Sequence, residues 1–189
     1  MFAHVFFFGR RRATFRALMA VAGVQPGQRV LDVGCGTGDF ARLLADAVGD
    51  EGLAIGVDPA REMISYAGRK ARRISNCQFR VGAAEDLDFP AEHFDVVVSS
   101  LVMHHLPDDV QLPALREMRR VLRPGGALVV ADFHVPGHGF GWRLLAVLTG
   151  HGRMARMVPD LERVAAQAQF VDIHQGEAPP WLRYVHAVK

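Results

Sequence analysis

Cysteine is scarce in this chain, long apolar runs are missing, and no acidic residue precedes Asp32. Two cysteines among 189 residues exclude a disulfide scaffold and leave too few thiolates for a cysteine-based zinc site. No apolar stretch approaches the roughly 20 residues of a membrane-spanning helix. Residues 2–8 are nearly all apolar, but they precede Arg10-Arg11-Arg12 instead of following them, the reverse of a secretory signal. The segment is therefore expected to belong to the mature protein, in a cytoplasmic setting. A formal net charge of +2 is too slight to mark a nucleic-acid binder. What is abundant is apolar side chain, 50% of residues with 12 Phe among them, enough to fill a core and exclude disorder. A chain of this length suits one domain.

Apolar periodicity alternates between strand-like and helix-like along most of the sequence. Strand-like runs at 29–33, 53–58, 77–81, 94–100 and 127–132 are interspersed with helical patterns at 40–48, 59–72 and 112–122, after an opening helix at 12–21. The consecutive valines Val96-Val97-Val98 imply a strand buried on both faces. The alternation predicts an α/β fold with a doubly wound, mostly parallel sheet. Two further strands are expected at 170–174 and 182–188, joined by a loop at 176–180 too short for a crossover helix. They should pair antiparallel, completing a seven-stranded sheet with a C-terminal hairpin. Short helices are expected at 142–148 and 161–168.

Val30-Leu31-Asp32-Val33-Gly34-Cys35-Gly36-Thr37-Gly38 sets three glycines at alternate positions between the first strand and the helix that follows. Glycines there permit close approach of backbone to a ligand, and ligands of open α/β sheets sit at the carboxyl ends of the strands. Asp58 ends the second strand, where a carboxylate can accept both hydroxyls of a ribose. The dinucleotide fingerprint G-x-G-x-x-G is spaced differently, and Asp39 stands in the place of its last glycine. A carboxylate there opposes pyrophosphate, and Asp32 adds to a preference for a ligand with a positive centre. An NAD-linked oxidoreductase is accordingly the weakest reading.

With these residues in place, the chain resembles the class I S-adenosylmethionine-dependent methyltransferases, particularly the small-molecule group that includes the ubiquinone/menaquinone C-methyltransferases. The resemblance covers residues 28–132. It rests on five ordered motifs: residues 30–38, Gly56-Val57-Asp58-Pro59, Ala84-Glu85-Asp86-Leu87, Phe94-Asp95 through His104-His105-Leu106, and Arg120-Val121-Leu122-Arg123-Pro124-Gly125-Gly126. It implies a Rossmann-like fold with S-adenosyl-L-methionine as cofactor. By that resemblance Gly34, Cys35 and Gly36 line the methionine part through their backbones, with Asp32 near its amino group and Ser99 beside it. Asp58 holds the ribose, while Met63 and the backbone at Ala84 and Glu85 flank the adenine. Ala83 departs from the pattern, since many relatives have Asp or Asn there to reach the adenine amino group. Glu85, Asp86 or the backbone must take that part.

His104 and Asp132 form the candidate catalytic pair. The imidazole follows the fourth strand and is the natural base near neutral pH; Asp132 ends the neighbouring fifth strand, where it can orient the ring. The competing reading for both is loop packing and hydrogen bonding. No metal is expected, because His134 and His138 lack a third ligand at convincing spacing. Cys35 and Cys77 read as packing residues. Arg69-Lys70 and Arg72-Arg73 have no interleaved aromatics, so no nucleic-acid partner is expected.

The near-neutral total charge is a cancellation. Residues 32–132 hold 11 basic and 16 acidic residues, whereas the flanks hold 11 basic and 4 acidic. The expected organisation is one methyltransferase domain over 1–189: a helical lid at 1–27, a cofactor-binding core at 28–132, a second lid segment at 133–168 and a terminal hairpin at 169–189. Both lids are apolar and basic. That points to a small, hydrophobic acceptor, such as a quinone precursor or lipid, and to peripheral contact with an anionic membrane. The alternative is a regulatory domain that binds the cofactor without transferring methyl. Oligomeric state leaves no signal in the sequence.

Overall fold

The computed structural model describes residues 11–133, 160–178 and 182–189. The elements in order are α1 (Arg11–Val21), β1 (Arg29–Val33), α2 (Asp39–Val48), β2 (Leu53–Asp58), α3 (Arg61–Ala71), β3 (Cys77–Val81) and β4 (Phe94–Ser100). A 3-10 turn (Met103–His105), α4 (Asp108–Val121), β5 (Leu122–Phe133), α5 (Leu161–Gln167), β6 (Val171–Ala178) and β7 (Leu182–Val188) follow. The segments 1–10 and 134–159, with the helix expected at 142–148, lie outside the described residues. Among the described residues no helix is long and apolar enough to cross a membrane.

The strands form one seven-stranded sheet in the order β3-β2-β1-β4-β5-β7-β6. β1 to β5 are parallel, β7 runs antiparallel to β5, and β6 pairs antiparallel with β7. The α/β fold with a terminal hairpin is thus as expected, with β7 the one reversed strand. Side chains alternate between two apolar layers. Leu31, Val97, Leu128 and Val130 face the layer that contains Leu115 and Met118 of α4 and Leu161 of α5. Val30, Val96, Val98 and Val129 face the layer that contains Phe15 and Leu18 of α1 and Phe40 and Leu44 of α2. The rings of Phe15 and Phe40 stack at 4.3 Å and seat α1 on α2.

Three boundaries differ from the periodicity. α4 starts at Asp108, with Asp108 and Asp109 in its first turn, where carboxylates complement the helix dipole. Pro113 lies inside this helix, whose buried Leu115, Met118 and Val121 keep it on the sheet. β5 begins at Leu122, and the expected Arg123-to-Gly126 turn is an irregularity within it, the partners jumping from Phe94↔Leu122 to Val96↔Ala127. β6 continues through Gly176 and Glu177, expected as loop, opposite Tyr184 and Arg183. A Cβ at Gly176 would lie 2.3 Å from Tyr184 Oη, so this glycine marks close packing within a strand.

The loop glycines are held by sterics as well. Gly38 has φ +71°, and a Cβ there would meet the Phe79 ring at 2.5 Å and Ala67 Cβ at 2.9 Å. Gly125 has φ +73° with nothing within 4 Å. Gly38→Ala is therefore expected to destabilise the fold by about 3 kcal/mol and Gly125→Ala by about 1 kcal/mol. Urea denaturation of the pair checks this, and equal losses would show that the Phe79 contact yields at no cost.

Candidate active site

The chain leaves β1 through a tight turn built on a single acceptor. The N–H groups of Gly34 and Cys35 both donate to Val57 O, at 2.7 and 3.0 Å, so the turn is fastened to the end of β2. Gly38 N–H closes the turn on Cys35 O at 2.9 Å. Asp58 completes the fastening: one carboxylate oxygen accepts from Gly36 N–H and the other from Ala60 N–H, each at 2.9 Å. The residue expected to hold a ribose is thus first a clamp between two loops. Each oxygen retains a further lone pair for a ligand hydroxyl.

Cys35 is buried beneath this turn, where a Cβ on Gly56 would lie 2.8 Å from its Sγ. Burial, reinforced by the charges of Asp32 and Asp58, pushes its thiol far above the usual range, so it stays neutral and packs. Burial also raises the Cys77 thiol, to about 11. Asp39, expected to repel phosphate, bonds to Arg11 at 3.0 Å, to Thr37 Oγ1 at 3.0 Å and to Arg42. Its charge is compensated, which removes the repulsion argued from sequence.

Asp32 differs. It is 2% exposed, on the face of β1 that Val30 also shares, and its Oδ2 is buried without a hydrogen-bond partner among the described residues. Burial pushes its carboxyl up to about 7, against the pull of the Ala41 N–H and of Arg11 and with a small push from Asp58. Ser100, at the end of the adjacent β4, also has a buried Oγ without a partner. Two orphaned acceptors at the carboxyl ends of neighbouring strands fit the ammonium of an amino-acid-like ligand. A Cβ on Gly36 would meet no described residue within 4 Å.

Two apolar side chains are exposed after β2 and on β3. Met63, in the first turn of α3, is 43% exposed, and Val81, the register partner of Asp58 on β3, is 44% exposed. Ala84 is buried and Glu85 exposed, in the turn where Ala83 bridges Asp86. Ser99 is buried, and its hydroxyl donates to Val33 O at 3.0 Å, tying β4 to β1.

His104 and Asp132 are brought together from 28 residues apart. Asp132 is wholly buried; one oxygen accepts the His104 backbone N–H at 2.9 Å and the other faces its ring Nδ1 at 2.7 Å. Holding main chain and ring with one carboxylate places the proton on Nδ1 and directs Nε2 to the opposite side of the ring. Leu101, with φ +64°, turns the chain from β4 toward this residue, a left-handed conformation that costs a residue with a Cβ about 1 kcal/mol. The His105 ring lies 3.9 Å from that of His104, and burial and its neighbour lower the pKa of His105. Val81, Ser100 and Leu101 were missed from sequence; nothing in their residue type signals a site, and only the register does.

A seven-stranded sheet with one reversed strand carries a glycine turn clamped by an acid on β2 and a histidine–carboxylate pair that joins the turn after β4 to the end of β5. Residues 30–126 match the family described as a methyltransferase domain, and the chain belongs to that family. The 2-phytyl-1,4-naphtoquinone methyltransferase of Synechococcus elongatus is 38% identical over 133 residues, covering 68% of this chain and 56% of that protein. The ubiquinone/menaquinone biosynthesis C-methyltransferase of Vibrio campbellii is 38% identical over 131 residues, covering 68% and 50%. The chain therefore spans about half the length of these curated relatives. A SAM-dependent methyltransferase from Aquifex aeolicus has the same fold, with a TM-score of 0.72 at 22% identity over 92% of this chain and 88% of its own. The Aquifex aeolicus protein and a structural neighbour from Mesorhizobium loti (TM-score 0.71, 22% identity over 94% of this chain and 98% of its own) are both described as dependent on S-adenosylmethionine.

Proposed function

We propose that the chain binds S-adenosyl-L-methionine and transfers its methyl group to a small, hydrophobic acceptor that loses a proton, such as a quinone precursor. The observation that carries this reading is the His104–Asp132 pair at the carboxyl end of β5, the same end of the parallel strands at which Asp58 closes β2. Asp32 takes the ammonium, with Gly34, Cys35 and Gly36 presenting backbone around the amino-acid end and Ser99 supporting the strand beneath it. Asp58 takes the ribose hydroxyls, and Met63 with the backbone at Ala84 and Glu85 flanks the base. When bound, the sulfonium supplies a methyl group that is already electrophilic. The chain's own work is orientation, which can contribute about 7–11 kcal/mol, and proton removal by Nε2 of His104, held in its tautomer by Asp132. A base is needed for a hydroxyl or a carbon acid and not for a neutral amine, which favours C- or O-methylation. The quinone names of the two curated relatives support the acceptor class.

The test joins calorimetry with the cofactor to an acceptor panel of hydroquinones, phenols and amines, read as formation of S-adenosylhomocysteine, with and without anionic vesicles. Cofactor binding, turnover with aromatic acceptors and faster turnover on vesicles are expected. Absence of cofactor binding sinks the reading; binding with turnover of amines alone removes the base. Turnover indifferent to vesicles removes the membrane contact drawn from the apolar-basic flanks.

A further inference from the structure

A concavity opens at the end of the sheet where β4 and β5 begin. Since β4 has seven residues, it lies about 20 Å from the end that carries the glycine turn and Asp58. Its volume is about 440 Å³, and it is lined by Arg116, Arg119 and Arg120 of α4, by Ala168 and Gln169 after α5, and by Lys189 after β7. Four of these side chains are cationic and none is acidic.

Two of the cations are already engaged. Arg120 pairs with Glu117, Nε to Oε1 at 2.7 Å, and its terminal nitrogens donate to Leu87 O and Phe89 O. Lys189 Nζ donates to Leu122 O at 2.6 Å, with Glu92 3.7 Å away. Arg119 and Arg116 have no carboxylate within 4 Å among the described residues. Arg119 is nonetheless fixed, because its Nε donates to Gln169 O at 2.9 Å, and its terminal nitrogens bond no described residue. The side holding it is itself strained: Gln169 sits at φ +67°, just past the end of α5. Glycine is the residue that adopts this conformation without strain. A glutamine there puts an amide on the cavity wall.

We propose that this cavity binds the phosphate group of a small molecule, a phosphate ester or diphosphate, through Arg116, Arg119 and the Gln169 amide. Planar guanidinium groups match phosphate oxygens in pairs. Two uncompensated charges in a concavity attract an anion more strongly than the same charges on an open face. The cavity is far too small for a protein segment and large enough for an anion with a modest organic substituent. This site is independent of the methyl-transfer reading, since none of its residues is assigned a part in it.

The probe is pyrophosphate, titrated calorimetrically into the full chain at constant ionic strength. Saturable one-to-one binding is expected. Arg116→Ala and Arg119→Ala should each weaken it about tenfold, the loss of one charge-assisted contact. Gln169→Gly should also weaken it while holding or raising the melting temperature, which separates ligand recognition from fold maintenance. Arg72→Ala on the opposite layer should change nothing. Absence of saturable binding, or equal weakening by Arg72→Ala, overturns the proposal. So does retention on phosphatidic acid vesicles that depends on Arg116 and Arg119 without any response to pyrophosphate, because that outcome assigns the cations to a lipid headgroup.

Discussion

Asp32→Asn should stabilise the cofactor-free protein at pH 8 while weakening its cofactor binding. The carboxyl has an ordinary value of 3.8 and is held at about 7 in the fold, first by burial. The folded chain therefore takes up a proton between these values that the unfolded chain does not. Stability from this group is fully present below about pH 4 and is lost as pH rises through about 7. Three units correspond to an upper bound of about 4 kcal/mol. Urea denaturation at pH 4.5 and pH 8 should show wild-type stability falling relative to the variant across this window; parallel behaviour would disprove the linkage.

Cofactor binding should reverse the situation. An ammonium beside Oδ2 favours the ionised form, so binding near pH 6 should release about one proton, and the release should fall away as pH rises through about 7. The charged and titratable groups that act on or respond to Asp32 are Arg11 from α1, Asp58 from β2, Cys35 in the glycine turn and Cys77 at the start of β3. Arg11 is already shared with Asp39, and Cys35 stays neutral, so neither supplies the counter-charge that a ligand would. Calorimetry in buffers of different ionisation heats measures the released proton directly. With Asp32→Asn the release should vanish and the affinity should fall about thirtyfold or more. Unchanged affinity would place the ammonium elsewhere.

His104→Ala should lower kcat by about a hundredfold to ten-thousandfold with an acceptor that must lose a proton, leaving cofactor affinity within about twofold. Asp132→Asn should act nearly as strongly by another route. An amide that turns its NH2 toward Nδ1 makes that nitrogen an acceptor and moves the ring proton to Nε2, where it blocks proton abstraction. The pH–rate profile distinguishes a base from a structural residue, since the rise in rate with pH should disappear in both variants. Because Asp132 also holds the His104 backbone, its variant is compared by thermal denaturation with His104→Gln, which keeps the main-chain bond. Folded variants with a wild-type rate and profile would reduce the pair to a loop fastening.

Much of this architecture is legible in local pattern. The strand at Val30-Leu31, the glycine turn and the acid at Asp58 are set by residue type and spacing, since each depends on φ/ψ freedom or on the two-residue alternation of a strand. The boundaries that were misjudged share a cause. Gly176 and the Arg123-to-Gly126 stretch carry turn residues, yet the strands run through both: Gly176 pairs with Tyr184, and Gly125 and Gly126 exchange backbone hydrogen bonds with Lys189. Asp39 was misjudged for a related reason: its charge is visible in the sequence, but its compensation by Arg11 and Arg42 is not.

The sequence by itself determined the order of strands and helices, the glycine turn, and the residue types available at its ends. It could also nominate His104 and Asp132. Whether they meet depended on β4 and β5 lying side by side, with a left-handed Leu101 bringing the ring back over the strand ends. Tertiary structure alone decided that Asp58 is engaged by two backbone donors while Asp32 and Ser100 are left with orphaned atoms. It also left Arg116 and Arg119 without carboxylate partners among the described residues while their neighbour Arg120 is paired. The physical reason is that charge compensation and burial are sums over neighbours distant in the chain. Local propensity records none of them.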